Sequence, residues 1–218
     1  MSFGYLGDTS TKIKQQVRNQ GVISISEAYE LEKAGHLSGS LELIASSTFS
    51  STVSTIDFTS IKESVYDVHF LQVQNFKTAS SNNQKVGIQL FESGTIETAD
   101  VYQYGLQRVS GNATSEERSH GDNIMQMCTS ATGGGVGKPE NFYCYLYNLG
   151  DSSKYSFATS QSFGTDAFAG AGTVVNTLFG ASVLPQASVV DGIRVTTDTN
   201  VDLLDFDIKL YGVKEWVQ

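Results

Sequence analysis

Charge is scarce in this sequence, and positive charge scarcest. Of 218 residues, 14 are Lys or Arg against 23 Asp or Glu, a net charge of −9. Such a chain repels phosphate backbones and anionic headgroups, so neither nucleic acid nor an anionic membrane is an expected partner. No apolar run approaches the roughly 18 residues of a spanning helix, and no membrane insertion is expected. The opening Met-Ser-Phe-Gly-Tyr-Leu-Gly-Asp has neither a basic stretch nor an apolar core. No secretory signal is therefore expected, and synthesis in a cytoplasm is.

Metal-ligating and nucleophilic patterns are equally thin. The cysteines are Cys128 and Cys144, and the histidines His36, His69 and His120 are scattered. A zinc site needs about four ligands at close spacing, which this set does not offer. Two free, buried thiols are the simple reading, with a disulfide as the alternative. The run Gly133–Gly137 invites a phosphate loop, but Lys138 is followed by Pro139 and then a strand, which breaks the P-loop pattern. No Gly-x-Ser-x-Gly elbow is present. Asp67 and His69 alternate on one strand face and form a candidate polar pair. Asp198-Thr-Asn-Val-Asp202 has the oxygen spacing of a calcium loop, yet Leu203 replaces the sharp-turn glycine and no Glu closes it. Ordinary turn chemistry explains it better. No cofactor, metal site or catalytic residue is expected. A glycan-degrading pair of carboxylates stays open, because such residues meet only in space.

What the chain has is small polar residues, 21 Gly, 10 Tyr and 12 Phe. At this length roughly 70% of the unfolded surface is buried on folding, so no covalent staple is needed. Val65–Phe76 is rich in β-branched and aromatic residues and reads as a long strand. Val65, Asp67, His69, Leu71 and Val73 share one face; Tyr66, Val68, Phe70 and Phe76 share the other. With apolar groups on both faces, the strand is expected to be central and covered on two sides. Further strands are expected at Ser40–Phe49, Ile56–Phe58, Lys85–Glu92, Ala99–Val109, Ile124–Cys128, Phe142–Leu149, Lys154–Phe163, Thr173–Leu184, Val189–Thr197 and Phe206–Val213. Ser110–Asn123, Thr129–Glu140 and Gly164–Gly172 read as loops. About ten strands with no βαβ rhythm argue an antiparallel jelly roll or β-sandwich over residues 39–218.

Residues 1–38 read differently. Ile13 and Val17 form an i, i+4 pair on a short helix over Thr9–Gln20. Ser24 and Glu27 fit a capping box for a second helix ending at Gly35, with Tyr29 and Leu31 on its apolar side. Both helices are too short to stand alone. Ile13, Val17, Tyr29 and Leu31 are therefore candidate contacts with the chain's own β domain or with a partner subunit. In the aromatic strand, Phe142, Cys144 and Leu146 face one way and Tyr143, Tyr145 and Tyr147 the other. The first set reads as core. The tyrosines fit a core rim, a subunit contact or a sugar-stacking platform.

Several stretches together resemble virion structural proteins of marine tailed bacteriophages: Thr11–Val17, Gly39–Ile44, Ile56–Ile61, Tyr66–Phe70, Val101–Tyr104, Tyr147–Gly150 and Lys209–Val213. The resemblance spans nearly the whole chain and rests on strand and turn signatures. It implies a jelly-roll-like, non-enzymatic protein on the particle surface, a tail-fibre-like appendage with a host-attachment role or a head decoration. It also implies self-association, by analogy a cyclic trimer, contacts with other virion proteins, and localisation in the virion. A carbohydrate-binding module that takes a host surface glycan is the alternative.

Overall fold

Strand dominates, as the alternation of side chains predicts: in the computed structural model the described residues form fourteen strands, every pair antiparallel. The structure describes residues 40–78, 84–111, 113–130, 140–168 and 172–214, with Ser26 and Tyr29 besides. The chain divides into two units, Met1–Ser40 and Leu41–Gln218. The helices expected over Thr9–Gly35 lie outside the described residues, Ser26 and Tyr29 excepted.

In chain order the strands are β1 (Leu41–Phe49), β2 (Ile56–Phe58), β3 (Val68–Thr78), β4 (Gln84–Glu92), β5 (Thr95–Ile96), β6 (Tyr102–Ser110), β7 (Thr114–Asp122), β8 (Met125–Ser130), β9 (Glu140–Tyr147), β10 (Tyr155–Phe168), β11 (Gly172–Ala187), β12 (Val190–Thr197), β13 (Leu203–Leu204) and β14 (Phe206–Val213). The larger sheet runs β1-β14-β3-β9-β10-β11-β6-β7, with β13 paired to the end of β3. The smaller runs β2-β12-β4, and β4 carries both β5 and β8 on its other edge.

The two sheets form a sandwich around one main core. Leu71, Val73, Phe142, Cys144, Leu146, Ile208 and Leu210 come from the larger sheet. Val86, Ile88, Leu90, Ile193 and Val195 come from the smaller. Strands β9 and β14 alternate buried and half-buried along their whole length, as strands with one face in a core must. Strand β8 ends the smaller sheet, yet Met125, Gln126, Met127, Cys128 and Thr129 are all buried. It lies close to β9, β10, β11 and β6 of the larger sheet. The inward residues there, Ser156, Ala158, Ser160, Gly180 and Ser182, are small, which admits the close approach.

Several expectations are corrected. Strand β3 starts at Val68, not Val65, because Lys62 takes a left-handed φ of 57° and the chain turns through Val65. Phe76 does not share a face with Phe70. Asn75 has a φ of 62° in a bulge opposite β9, and the extra residue swings Phe76 into the core against Phe142. β3 is covered on one face only, since Val68, Phe70 and Gln72 remain half-buried on the other. Ser110–Asn123 is not a loop: Thr114–Asp122 is the edge strand β7, paired along β6. Its Thr-Ser-Glu-Glu-Arg-Ser-His-Gly-Asp has no apolar alternation because an edge strand exposed on both faces needs none, and its charges guard the edge. Gly164–Gly172 is likewise strand at both ends, since β10 and β11 pair as far as Phe168 and Gly172. Backbone pairing, not an apolar period, defines these ends.

Candidate functional site

The larger sheet has an outer face, turned away from the core, with an unusual composition. On β9 it presents Tyr143, Tyr145 and Tyr147, each half-buried. Their partners across β10 are Gln161, Thr159 and Phe157. Beyond these lie Val183, Ala181 and Phe179 of β11, then Gln103, Gly105 and Gln107 of β6. On the other side of β9 stand Val68, Phe70 and Gln72 of β3. From Val68–Gln74 of β3 through β9, β10 and β11 to β6, no described outward residue carries a charge. Charges return at the margins, with Asp207 and Lys209 on β14 and Glu116 and Arg118 on β7. An uncharged, aromatic centre with a charged rim is the composition of a protein contact surface.

Its two halves differ. On the β14–β3–β9 side the rings pack on one another: Phe70 lies 4.8 Å from Tyr145, 5.9 Å from Tyr143 and 6.0 Å from Tyr211 between ring centroids. Tyr143 donates its hydroxyl hydrogen to Gln161 Oε1 at 2.6 Å. On the β10–β11 side the rings stand free, with Phe157 43%, Phe163 51%, Phe179 45% and Val175 61% exposed. Ala181 pairs with Gly105, and where these small residues meet the face sinks into an open depression of about 280 Å³. Phe157, Val183, Gln103 and Ser119 help line it.

A polar network lies on the opposite side of β6, where Tyr104 points inward toward Lys85 of the smaller sheet. Lys85 reaches Asp122 at 2.6 Å, and Tyr104 donates to the same carboxylate at 2.9 Å. Burial works against the charge on Asp122, but these two hydrogen bonds outweigh it and hold the carboxyl below its ordinary value. Asp198 shows the reverse, its pKa raised chiefly by burial.

Tyr143, Tyr145 and Tyr147 thus share one face as expected, outside the core and neither fully exposed nor covered. Tyr29 is 62% exposed; Ile13, Val17 and Leu31 lie outside the described residues, as do His36 and the glycine run at 133–137. Asp67 and His69 do not pair. Asp67 precedes β3, whereas His69 is buried and its Nε2 lies 2.8 Å from the Ile61 carbonyl oxygen. Burial lowers the His69 pKa, and with a neutral ring Nε2–H donates to that carbonyl. Cys128 and Cys144 are free and buried, and burial pushes the Cys144 thiol up to about 12. The Asp198–Asp202 segment is a turn closed on Thr197. Val201 N–H donates to the Thr197 hydroxyl, Asn200 N–H donates to the Thr197 carbonyl, and Asn200 has a φ of 54°. Among the described residues no three His, Cys, Asp or Glu side chains group around a metal position, and no helix is long and apolar enough to cross a membrane.

Sequence reading found the tyrosines but missed Phe157, Phe163, Phe179 and the Gly105–Ala181 depression. The alternation of β10 was legible, since Phe157, Thr159, Gln161 and Phe163 stand two residues apart. The sense of that alternation runs against the usual burial preference, since Ser156, Ser160 and Ser162 point inward and Phe157 and Phe163 outward. Compared with protein-family models, with curated proteins and with solved structures, the chain matches none.

Proposed function

We propose that the chain is a non-enzymatic structural protein of a tailed-bacteriophage virion, carried on the particle surface as a tail-fibre-like appendage. The order of eight strands carries this reading. Strands β1-β14-β3-β9 oppose β2-β12-β4-β8. Counted along these eight, that is first-eighth-third-sixth against second-seventh-fourth-fifth, the wiring of a jelly roll. Jelly rolls recur in viral capsid proteins and lectins, and the inference from wiring to role is one of fold analogy. The resemblance in the stretches named above points the same way. In this reading the segments added to the eight strands, β5–β7 and β10–β11, widen one sheet into a contact surface. Copies of the chain and other virion proteins are its partners, the protein is made in the host cytoplasm, and residues 1–38 supply a further anchor.

The test is mass spectrometry and cryo-imaging of purified particles with an antibody against the β domain. The chain is expected at stoichiometric copy number on the tail or the head surface. Its absence from washed particles would sink the proposal. A head position favours capsid decoration over a tail appendage.

The exposed rings beside a depression favour one second reading, a carbohydrate-binding surface that takes a host glycan. A glycan array would show binding that is lost on Phe157→Ala; silence across the array excludes it.

A further inference from the structure

We infer that the outer face of the larger sheet is the contact between two copies of this chain, with Phe179 of each seated in the Gly105–Ala181 depression of the other. The inference rests on the reading of this face as a contact surface and names the partner.

Three observations carry it. The first is charge. Two copies of a chain with a net charge of −9 repel one another. Contact between them is least costly where neither copy presents charge, and the centre of this face has none. The second is extent. The five uncharged strands from β3 to β6 at about 4.8 Å, and roughly eight residues at about 3.3 Å each, give on the order of 600 Å². With the flanking β14 and β1, which add Tyr211, Leu41 and Leu43 and a charged margin at Asp207 and Lys209, the face reaches the roughly 800 Å² per partner of a standard interface. The third is self-complementarity. A two-fold contact needs projection and recess on the same surface. Phe179, 45% exposed, stands two residues along β11 from Ala181, whose partner Gly105 opens the recess. An axis between them brings each ring over the other copy's recess. Phe157 and Val183 wall that recess with apolar surface.

The full-length chain tests this in solution through two variants and their mixture. A Cβ at Gly105 meets nothing within 4 Å, so Gly105→Arg fills the recess without disturbing the sheet. Phe179→Glu removes the projection and adds a charge. By sedimentation velocity the unmodified chain is expected to associate, and each variant alone to weaken association at least ten-fold. An equimolar mixture should recover it. The arginine introduced in one copy then meets the glutamate introduced in the other, while the remaining Phe179 finds an open recess. Recovery also shows that both variants fold. The inference is overturned by a monomeric unmodified chain, by variants that associate as tightly as the unmodified chain, by a mixture that stays monomeric, or by a monomer that takes a glycan on this face. Association of the purified chain, with its absence from particles, overturns the virion reading alone. Incorporation of a monomeric chain into particles overturns this inference alone.

Discussion

Ala181 of β11 stands directly opposite Gly105 of β6, and the pair leaves a recess on a face that carries exposed rings. Its neighbours one step along each strand, Gly180 and Leu106, point the other way, into the sandwich. The same two strands thus shape the outer surface and the inner packing, and their glycines have opposite tolerances.

Gly180 and Gly105 should respond oppositely to alanine. A Cβ on Gly180 would run into the Gly105 carbonyl oxygen and the Leu106 backbone, whereas one on Gly105 meets open space. Gly180→Ala is expected to destabilise by about 1–3 kcal/mol through overpacking. Gly105→Ala should be neutral or stabilising by about 0.4–1 kcal/mol, because the unfolded chain loses freedom. Urea denaturation of both variants checks this; equal effects would contradict the assigned faces.

Asn75 holds the bulge that turns Phe76 inward. Its φ of 62° suits Asn and Gly and strains other residues. Its backbone N–H is also fixed by Asn141 Oδ1 at 3.0 Å. Asn75→Ala should cost about 1 kcal/mol and Asn75→Gly much less. If the order is reversed in denaturation midpoints, the bulge is not where Phe76 is set.

Acid should weaken the fold through His69. Burial lowers its pKa below 6.5, so the folded state favours the neutral ring and the unfolded state binds the proton more readily. This contribution is whole above pH 6.5 and is lost as the pH falls toward the folded-state value. Glu42 acts in a lower window. Hydrogen bonds from Lys214 and Tyr66 lower its pKa from 4.5 to about 2, so its contribution is whole above pH 4.5 and fades below it. Unfolding free energy measured between pH 7.5 and pH 5.5 should fall in the unmodified chain and stay flatter in His69→Gln. A slope shared by both would assign the effect elsewhere.

Thiol chemistry should be silent in the native state. Cys144 is wholly buried, with its pKa near 12, and Cys128 is buried and raised as well. A disulfide-exchange reagent should label neither at pH 8 within minutes, and both at once in denaturant. Rapid native labelling of one cysteine would show that its strand opens locally.

The sandwich was legible in the sequence wherever one face of a strand meets the core. Phe142, Cys144 and Leu146 announce β9, and Ile208 and Leu210 announce β14, because burial imposes a period of two. Strand β7 was illegible because its stability comes from backbone pairing, and its side chains record only exposure. β5 and β13 are two-residue strands, too short for any period to show. The left-handed Asn75 was hidden inside an apolar run, so its bulge reversed the assignment of Phe76. For the candidate site, tyrosine spacing along β9 showed which rings share a face. Which of the five strands stand beside one another, and hence that their outward residues form one uncharged surface, followed only from the sheet order.

Hydroxyl-radical footprinting of the full-length chain in its associated state tests the central claim most directly. The free rings of Phe157, Phe163 and Phe179 should oxidise several-fold more slowly in the unmodified chain than in Gly105→Arg at the same concentration, while Tyr155, near the end of its strand, changes little. Equal oxidation of the three phenylalanines in the two proteins would contradict a covered outer face.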